Sequence, residues 1–258
     1  MALSGTPGSS FATVNHNHHR TRRAALNPFF SKRAVTSLEP IILAKVNRLC
    51  QRFADVIQNG EVIRVDAAFV ALTMDVISQY SFAVDDDYLS EPDFKVAWKE
   101  TLEGAFEGGA LLRQFPWMFG FMNWLPDRWM KKMSPSMGLM LDWKRGVRAR
   151  VSVILERNEG VEDGDGDGNG RHRSIFHELR DSGLPEKEKT IDRLCDEGTI
   201  LTGAGTETTA MALTKITFYL LKDRNLVERL RDELRTIMPT SRSEVTVTQL
   251  EQLPYLVC

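Results

Sequence analysis

Thr202-Gly203-Ala204-Gly205-Thr206-Glu207-Thr208-Thr209 interrupts a long helical pattern with residues that make poor helix. Each interior glycine costs up to roughly 1 kcal/mol relative to alanine. The four threonines around them are β-branched and compete for backbone hydrogen bonds. The pattern itself runs from Thr190 to about Lys222, with Ile191, Leu194, Leu201, Met211, Leu213, Ile216 and Leu220 at helical spacing and Pro185 closing the preceding loop. At 1.5 Å per residue that helix is roughly 50 Å long, enough to cross a domain. Small residues and one acid at its midpoint fit a groove where something bulky lies against the backbone. They also fit a plain small-residue helix crossing, with Glu207 reaching solvent.

Glu207 and Thr208 are adjacent, so they point about 100° apart and both can border one cavity. A hydroxyl donates and accepts, and a carboxyl supplies or takes a proton, so the pair has the parts of a proton relay.

Ala204-Gly205-Thr206-Glu207-Thr208-Thr209 resembles the distal-helix signature of the cytochrome P450 family, (Ala/Gly)-Gly-x-(Asp/Glu)-Thr-(Thr/Ser), at all six positions. The resemblance implies that Ala204 and Gly205 make room for haem and dioxygen. It further implies that Glu207 and Thr208 help deliver protons to oxygen.

A second stretch runs His16-Asn17-His18-His19-Arg20-Thr21-Arg22-Arg23-Ala24-Ala25-Leu26-Asn27-Pro28-Phe29-Phe30-Ser31. Pro28 disfavours helix at Asn27, so a helix here is predicted to end there. His19 and Arg23 are four apart and share a helical face, able to hold one anionic group. By residue type alone the stretch reads as a solvated basic helix, a nucleic-acid patch extended by Lys32 and Arg33, or a metal site at His16, His18 and His19. No cysteine or carboxylate at zinc spacing supports the metal, and a short basic run in a chain of net charge −2 does not support nucleic acid. His-x-x-Arg-Arg-x-x-Leu-x-x-x-Phe-Ser, from His19 to Ser31, is similar to the early helix of fungal, trichodiene-oxygenase-like cytochromes P450. That resemblance implies that His19 and Arg23 hold a haem propionate, which suits the guanidinium fork.

Elsewhere Thr36, Glu39 and Pro40 open a helix that stops at Asn59-Gly60, Val62 to Val65 reads as a short strand, and Asp66 opens a helix through Tyr80. Asp85-Asp86-Asp87 lacks the later acid of a diphosphate-binding motif and reads as a solvated loop. Residues 115–130, with Phe115, Trp117, Phe119, Phe121, Trp124 and Trp129, read as helix packing or as a membrane-surface or substrate-entry element. A helix follows over 134–159. Residues 160–172, rich in Gly and Asp, form a linker whose would-be calcium loop has Ser174 or Phe176 where a glutamate is needed. Asn225 and Glu228 suggest a capping box for a helix ending before Pro239.

The fold expected over 1–258 is mainly α: an incomplete multi-helix cytochrome P450 fold, comprising the distal half and its long central helix. Three cysteines make no disulfide framework, and neither Cys50, Cys195 nor Cys258 has the Phe-x-x-Gly context of the family's iron ligand. The metal ligand is therefore expected to be missing, as is an amino-terminal anchor. The resemblance implies a haem-thiolate monooxygenase lineage using haem b, with electrons from NADPH through NADPH–cytochrome P450 reductase. The implied substrate is small and apolar, a terpenoid or another secondary metabolite. These 258 residues are expected to be inactive alone, and the alternative is a non-catalytic truncated helical product. The sequence has no transmembrane run or secretory signal, and reads as soluble and cytoplasmic. The resembled family usually sits on the cytosolic face of the endoplasmic reticulum membrane.

Overall fold

A computed structural model describes residues 5–115, 117, 126–156, 174–240, 243 and 245–257. Twelve α-helices and no strand occur among the described residues. They are α1 (His16–Leu26), α2 (Lys32–Ser37), α3 (Glu39–Asn59), α4 (Val65–Phe82), α5 (Val96–Gln114) and α6 (Asp127–Met133). There follow α7 (Pro135–Glu156), α8 (Ile175–Asp181), α9 (Ile191–Lys222), α10 (Arg224–Arg235), α11 (Val247–Leu250) and α12 (Pro254–Val257). The mainly α expectation holds.

Local signals account for most boundaries. Thr190 caps α9 by accepting from the Arg193 N–H, and Gly60 ends α3 with φ +68°, a left-handed conformation that glycine adopts without penalty. Two expectations are corrected. Val62 to Val65 is not a strand: Val62 is fully exposed with no neighbouring strand to pair with, and Val65 already belongs to α4. The cap of α10 is Asp223, whose carboxylate accepts from the Asn225 N–H at 2.9 Å, so the capping residue lies two positions before the expected Asn225. The helix over 96–114 has no counterpart among the sequence-based expectations. Within 115–130, residues 116 and 118–125 lie outside the described residues, as do 157–173 with the Gly/Asp stretch.

Helix α4 is apolar nearly all round and correspondingly buried, with Ala67, Ala68, Val70, Ala71, Leu72 and Met74 inside. It lies directly against the middle of α9. Thr73 Oγ1 donates to the Thr206 carbonyl at 3.1 Å, and Thr206 Oγ1 approaches Met74 Sδ at 3.7 Å. At the start of α9, a Cβ on Gly198 would stand 3.0 Å from both Phe82 and Val147 and 3.2 Å from Phe176. Phe82 and Phe176 stack there with ring centroids 4.8 Å apart. This knot joins α4, α7, α8 and α9.

Asp85, Asp86 and Asp87 are not simply solvated. Lys45 reaches Asp85 at 2.5 Å, Arg48 reaches Asp87 at 3.1 Å, and Arg150 pairs with Asp86. Buried Asp75 accepts the Tyr88 and Leu89 N–H groups at 2.8 and 3.1 Å. Burial raises its pKa to about 6, those hydrogen bonds opposing. Asp75, Asp85 and Asp87 could converge on a cation, but the Lys45 ammonium already supplies the positive charge. Farther along α9, Phe218, Tyr219 and Leu221 are 60, 62 and 72% exposed, so its C-terminal half presents an uncovered apolar face.

Two glycine substitutions separate packing from propensity. Gly198→Ala gains helix propensity but forces a methyl among three buried side chains, and is expected to lower stability by roughly 1–2 kcal/mol. Gly146→Ala on α7 meets nothing within 4 Å, and is expected to raise stability by about 0.5–1 kcal/mol. Urea unfolding midpoints check both signs.

Candidate functional site

The signature residues divide among three directions around α9. Thr202 and Thr206 are buried toward α4 and donate to the carbonyls of Gly198 and Thr202, each at 2.7 Å. Gly205 also faces α4, where a Cβ would stand 3.0 Å from Ile77 Cγ1. Its small size is thus accounted for by the helix crossing, a part the resemblance did not imply. Ala204 and Thr208, four apart, form a narrow exposed face continued by Met211. Thr208 Oγ1 donates to the Ala204 carbonyl at 2.8 Å.

Glu207 occupies the third direction and is half-buried, not turned freely to solvent. Its Oε2 is buried and has no hydrogen-bond partner among the described residues. Burial pushes its pKa up, the Glu103 carboxylate on α5 adds to the rise, and the Lys99 ammonium opposes it. A carboxyl raised in this way holds its proton closer to neutral pH than a surface glutamate. No hydrogen bond joins Glu207 to Thr208: the acid and the alcohol border adjacent faces of one helix, as their spacing requires.

Helix α1 carries two His/Arg pairs offset by one residue, and the structure treats them differently. His18 Nε2 lies 2.7 Å from Glu188 Oε1, and Arg22 Nε donates to Glu188 Oε2 at 2.7 Å. Neither His19 nor Arg23 pairs with Glu188. Arg23 is exposed, stands 5.7 Å from the Phe30 ring centre and makes no ion pair among the described residues. The expected anion-holding pair thus makes no ion pair among the described residues. No hydrogen bond or ion pair joins His19 or Arg23 to α9.

The Glu188 arrangement is larger than the sequence suggested. Arg22 also donates to Thr13 Oγ1 at 2.8 Å. Arg193, on the first turn of α9, donates to fully buried Glu197 at 2.6 Å. Glu197 accepts in turn from the Ser10 N–H at 3.0 Å and the Ser10 hydroxyl at 2.7 Å, while Gly8 N–H donates to Asp196 at 2.7 Å. A Cβ on Gly8 would come within 3.0 Å of the Arg193 Cα, so the chain passes α9 nearly in backbone contact. Residues 5–15, which form no helix, are thus fastened to α9. The available signal was the i, i+4 pair Arg193/Glu197 opposite a run of small residues.

Ala204 and Thr208 thus leave an open face on α9 with the Glu207 carboxyl beside it. Of the two described thiols, Cys50 is exposed on α3, and burial pushes the Cys195 thiol up.

The family model described as "Cytochrome P450" matches residues 3–257. Among curated proteins, the chain is 38% identical over 256 residues to "Cytochrome P450 monooxygenase MO6277" of Ascocoryne sarcoides, covering 98% of this chain and 50% of that one. It is 36% identical to "Tryptophan 6-hydroxylase fscE" of Fusarium equiseti, over 98% of this chain and 48% of the relative. To "Cytochrome P450 monooxygenase TRI4" of Fusarium sporotrichioides it is 34% identical, over 97% and 47%. The chain thus spans about half the length of these relatives.

The Glu188 network has a measurable signature. Burial alone would raise the Glu188 pKa, but the Arg22 and His18 hydrogen bonds lower it below the ordinary value. A carboxylate whose pKa is lower folded than unfolded stabilises the fold above its unfolded pKa, and that stability is lost as pH falls through the folded value. Glu188→Gln strands the Arg22 charge and is expected to cost roughly 3 kcal/mol at neutral pH. It should also flatten the acid limb of stability against pH, as read by thermal melts from pH 3 to 7.

Proposed function

The chain belongs to the cytochrome P450 family, and from that premise we propose that the whole protein is a haem-thiolate monooxygenase oxidising a small apolar substrate. Its electrons would come from NADPH through a cytochrome P450 reductase. The observation that carries the reading is the half-buried Glu207 carboxyl, with its raised pKa, beside the outward Thr208 hydroxyl. Haem b, when bound, supplies iron that activates dioxygen with those electrons. Ala204 and Thr208 would lie along its distal side, with Gly205 letting α9 sit deep enough against α4 to present that face. His19 and Arg23 would hold a propionate, the guanidinium by a charge-assisted fork and the imidazole beside it.

Glu207 takes the role of proton donor. With its pKa raised by burial, it can release a proton toward the site and recover it from solvent along the Glu103–Lys99 edge. The Thr208 hydroxyl can exchange its bond to the Ala204 carbonyl for one to an oxygen on the open side. A single hydroxyl donates and accepts at once, so it can pass a proton without holding charge.

The names of the relatives guide the substrate. A "Conidiogenone synthase PchP450" of Penicillium rubens is among them, 37% identical over 99% of this chain and 50% of that one. We take a terpenoid or another fungal secondary metabolite as the substrate class, with tryptophan-like aromatics second. No helix among the described residues is long and apolar enough to cross a membrane. The proposed setting, the cytosolic face of the endoplasmic reticulum, rests on the family.

The exposed apolar face at the C-terminal end of α9 favours a second reading for these 258 residues taken alone, a helical product without turnover.

Haem content after gel filtration tests the anchoring roles. In the whole protein, Arg23→Ala and His19→Ala are expected to lose haem several-fold, and unchanged content would remove those assignments. Glu207→Gln and Thr208→Ala should retain haem and slow product formation by about 10²-fold, with NADPH consumption diverted to peroxide. Mixed with haem, reduced and treated with carbon monoxide, the 258 residues alone should lack the red-shifted Soret band of thiolate ligation.

A further inference from the structure

Two tryptophans border the face of α9 that carries Glu207. Trp143, on α7, places its ring edge 3.5 Å from where a Cβ on Gly203 would stand. Trp98, on α5, leans against Trp143 with ring centroids 5.3 Å apart. It belongs to the buried cluster that contains Ala210. Gly203, Glu207 and Ala210 follow one another at single-turn spacing, so they lie on one side of the helix. Glu207 therefore sits between the turn that meets Trp143 and the turn that shares a cluster with Trp98.

Within this frame two buried atoms have complementary needs. Trp98 is only 5% exposed, and its Nε1–H, a donor and nothing else, has no acceptor among the described residues. Glu207 Oε2 is a buried acceptor with no donor there. Left unmatched, each would cost about 1–3 kcal/mol, and native interiors rarely leave such groups unpaired.

The charges acting on Glu207 also come from α5: Glu103 and Lys99, the latter next to Trp98 in the chain. Lys99 pairs with Asp66 at 2.8 Å and Glu103 at 2.5 Å and makes no hydrogen bond to Glu207 Oε2. The indole is the one buried donor on this side of α5 that still lacks an acceptor among the described residues.

We propose that a single water molecule bridges the Trp98 indole N–H to the Glu207 carboxyl, making Trp98 a positioning residue for that carboxyl. Water accepts from the indole through its oxygen and donates one hydrogen to Oε2, which meets the minimum of two polar partners for a buried water. The bridge holds the side chain between the two rings and fixes which oxygen stays bonded. The bridge is a statement about two buried atoms, while its bearing on turnover rests on the relay role proposed above for Glu207.

Indole-¹⁵N-labelled protein tests it. The five tryptophans give five indole signals, and Trp98→Phe, which keeps an aromatic ring in the cluster, identifies the one that matters. That signal is expected to show a through-space contact to long-lived water and to move when Glu207→Gln is introduced. It should stay in place with Glu103→Gln. Absence of the water contact, indifference to Glu207→Gln, or a response to Glu103→Gln instead would each overturn the bridge. In an associated sample, the hydrogen-bond-sensitive indole band in the ultraviolet resonance Raman difference between wild type and Trp98→Phe distinguishes the same outcomes.

In the whole haem-loaded protein, Trp98→Phe is expected to leave haem content unchanged and to shift the pH profile of product formation upward. A bridge detected by the indole signals together with an unmoved profile would support the bridge and count against the relay role of Glu207.

Discussion

The close crossing of α4 over the middle of α9 is the contact on which the site depends. It requires small residues on one side of α9, and Gly205, Thr202 and Thr206 provide them, with Ile77 and Thr73 answering from α4. Once that side is committed, a turn of about 100° per residue leaves no freedom for the rest. Ala204 and Thr208 must face the open side, and Glu207 must turn toward α5 and α7. The threonines bond back to carbonyls one turn earlier, so their hydroxyls are satisfied without competing for the core. A helix of poor local propensity persists because tertiary packing outweighs propensity.

A second constraint ties α1 to the head of α9. Glu188 holds His18 and Arg22, and Glu197 holds Arg193 and the Ser10 backbone. Buried charges are tolerated here because nearly every one meets an opposite charge or a backbone donor. With His18 and Arg22 committed to Glu188, the next pair, His19 and Arg23, makes no ion pair among the described residues.

How far this was legible in the sequence depends on whether the signal was local. The span of α9 could be read from Thr190 and its apolar spacing, and that of α3 from Pro40 and Gly60, because capping and periodicity are carried by neighbouring residues. The mainly α fold and its family followed from two motifs far apart. Glu188 was not legible: among Glu186, Lys187 and Lys189 it looks like one more solvated charge, and its partners lie some 166 and 170 residues away. Two overlapping His/Arg pairs on α1 could not be told apart without knowing which side is buried. Gly205 matched its motif, yet only the packing shows that its missing side chain answers Ile77. Trp98 carries no motif at all, and its interest arises only beside Glu207.

The backbone contact between Gly8 and α9 has a consequence in time. Its two ends are separated by 188 residues, so the Gly8 segment cannot dock until the ribosome has reached the central helix. At typical elongation speeds that wait is roughly ten to forty seconds. During it the Gly8 segment lacks its α9 partners, while α3 and α4 can already pair behind it. Closure of this contact therefore waits on the making of the central helix.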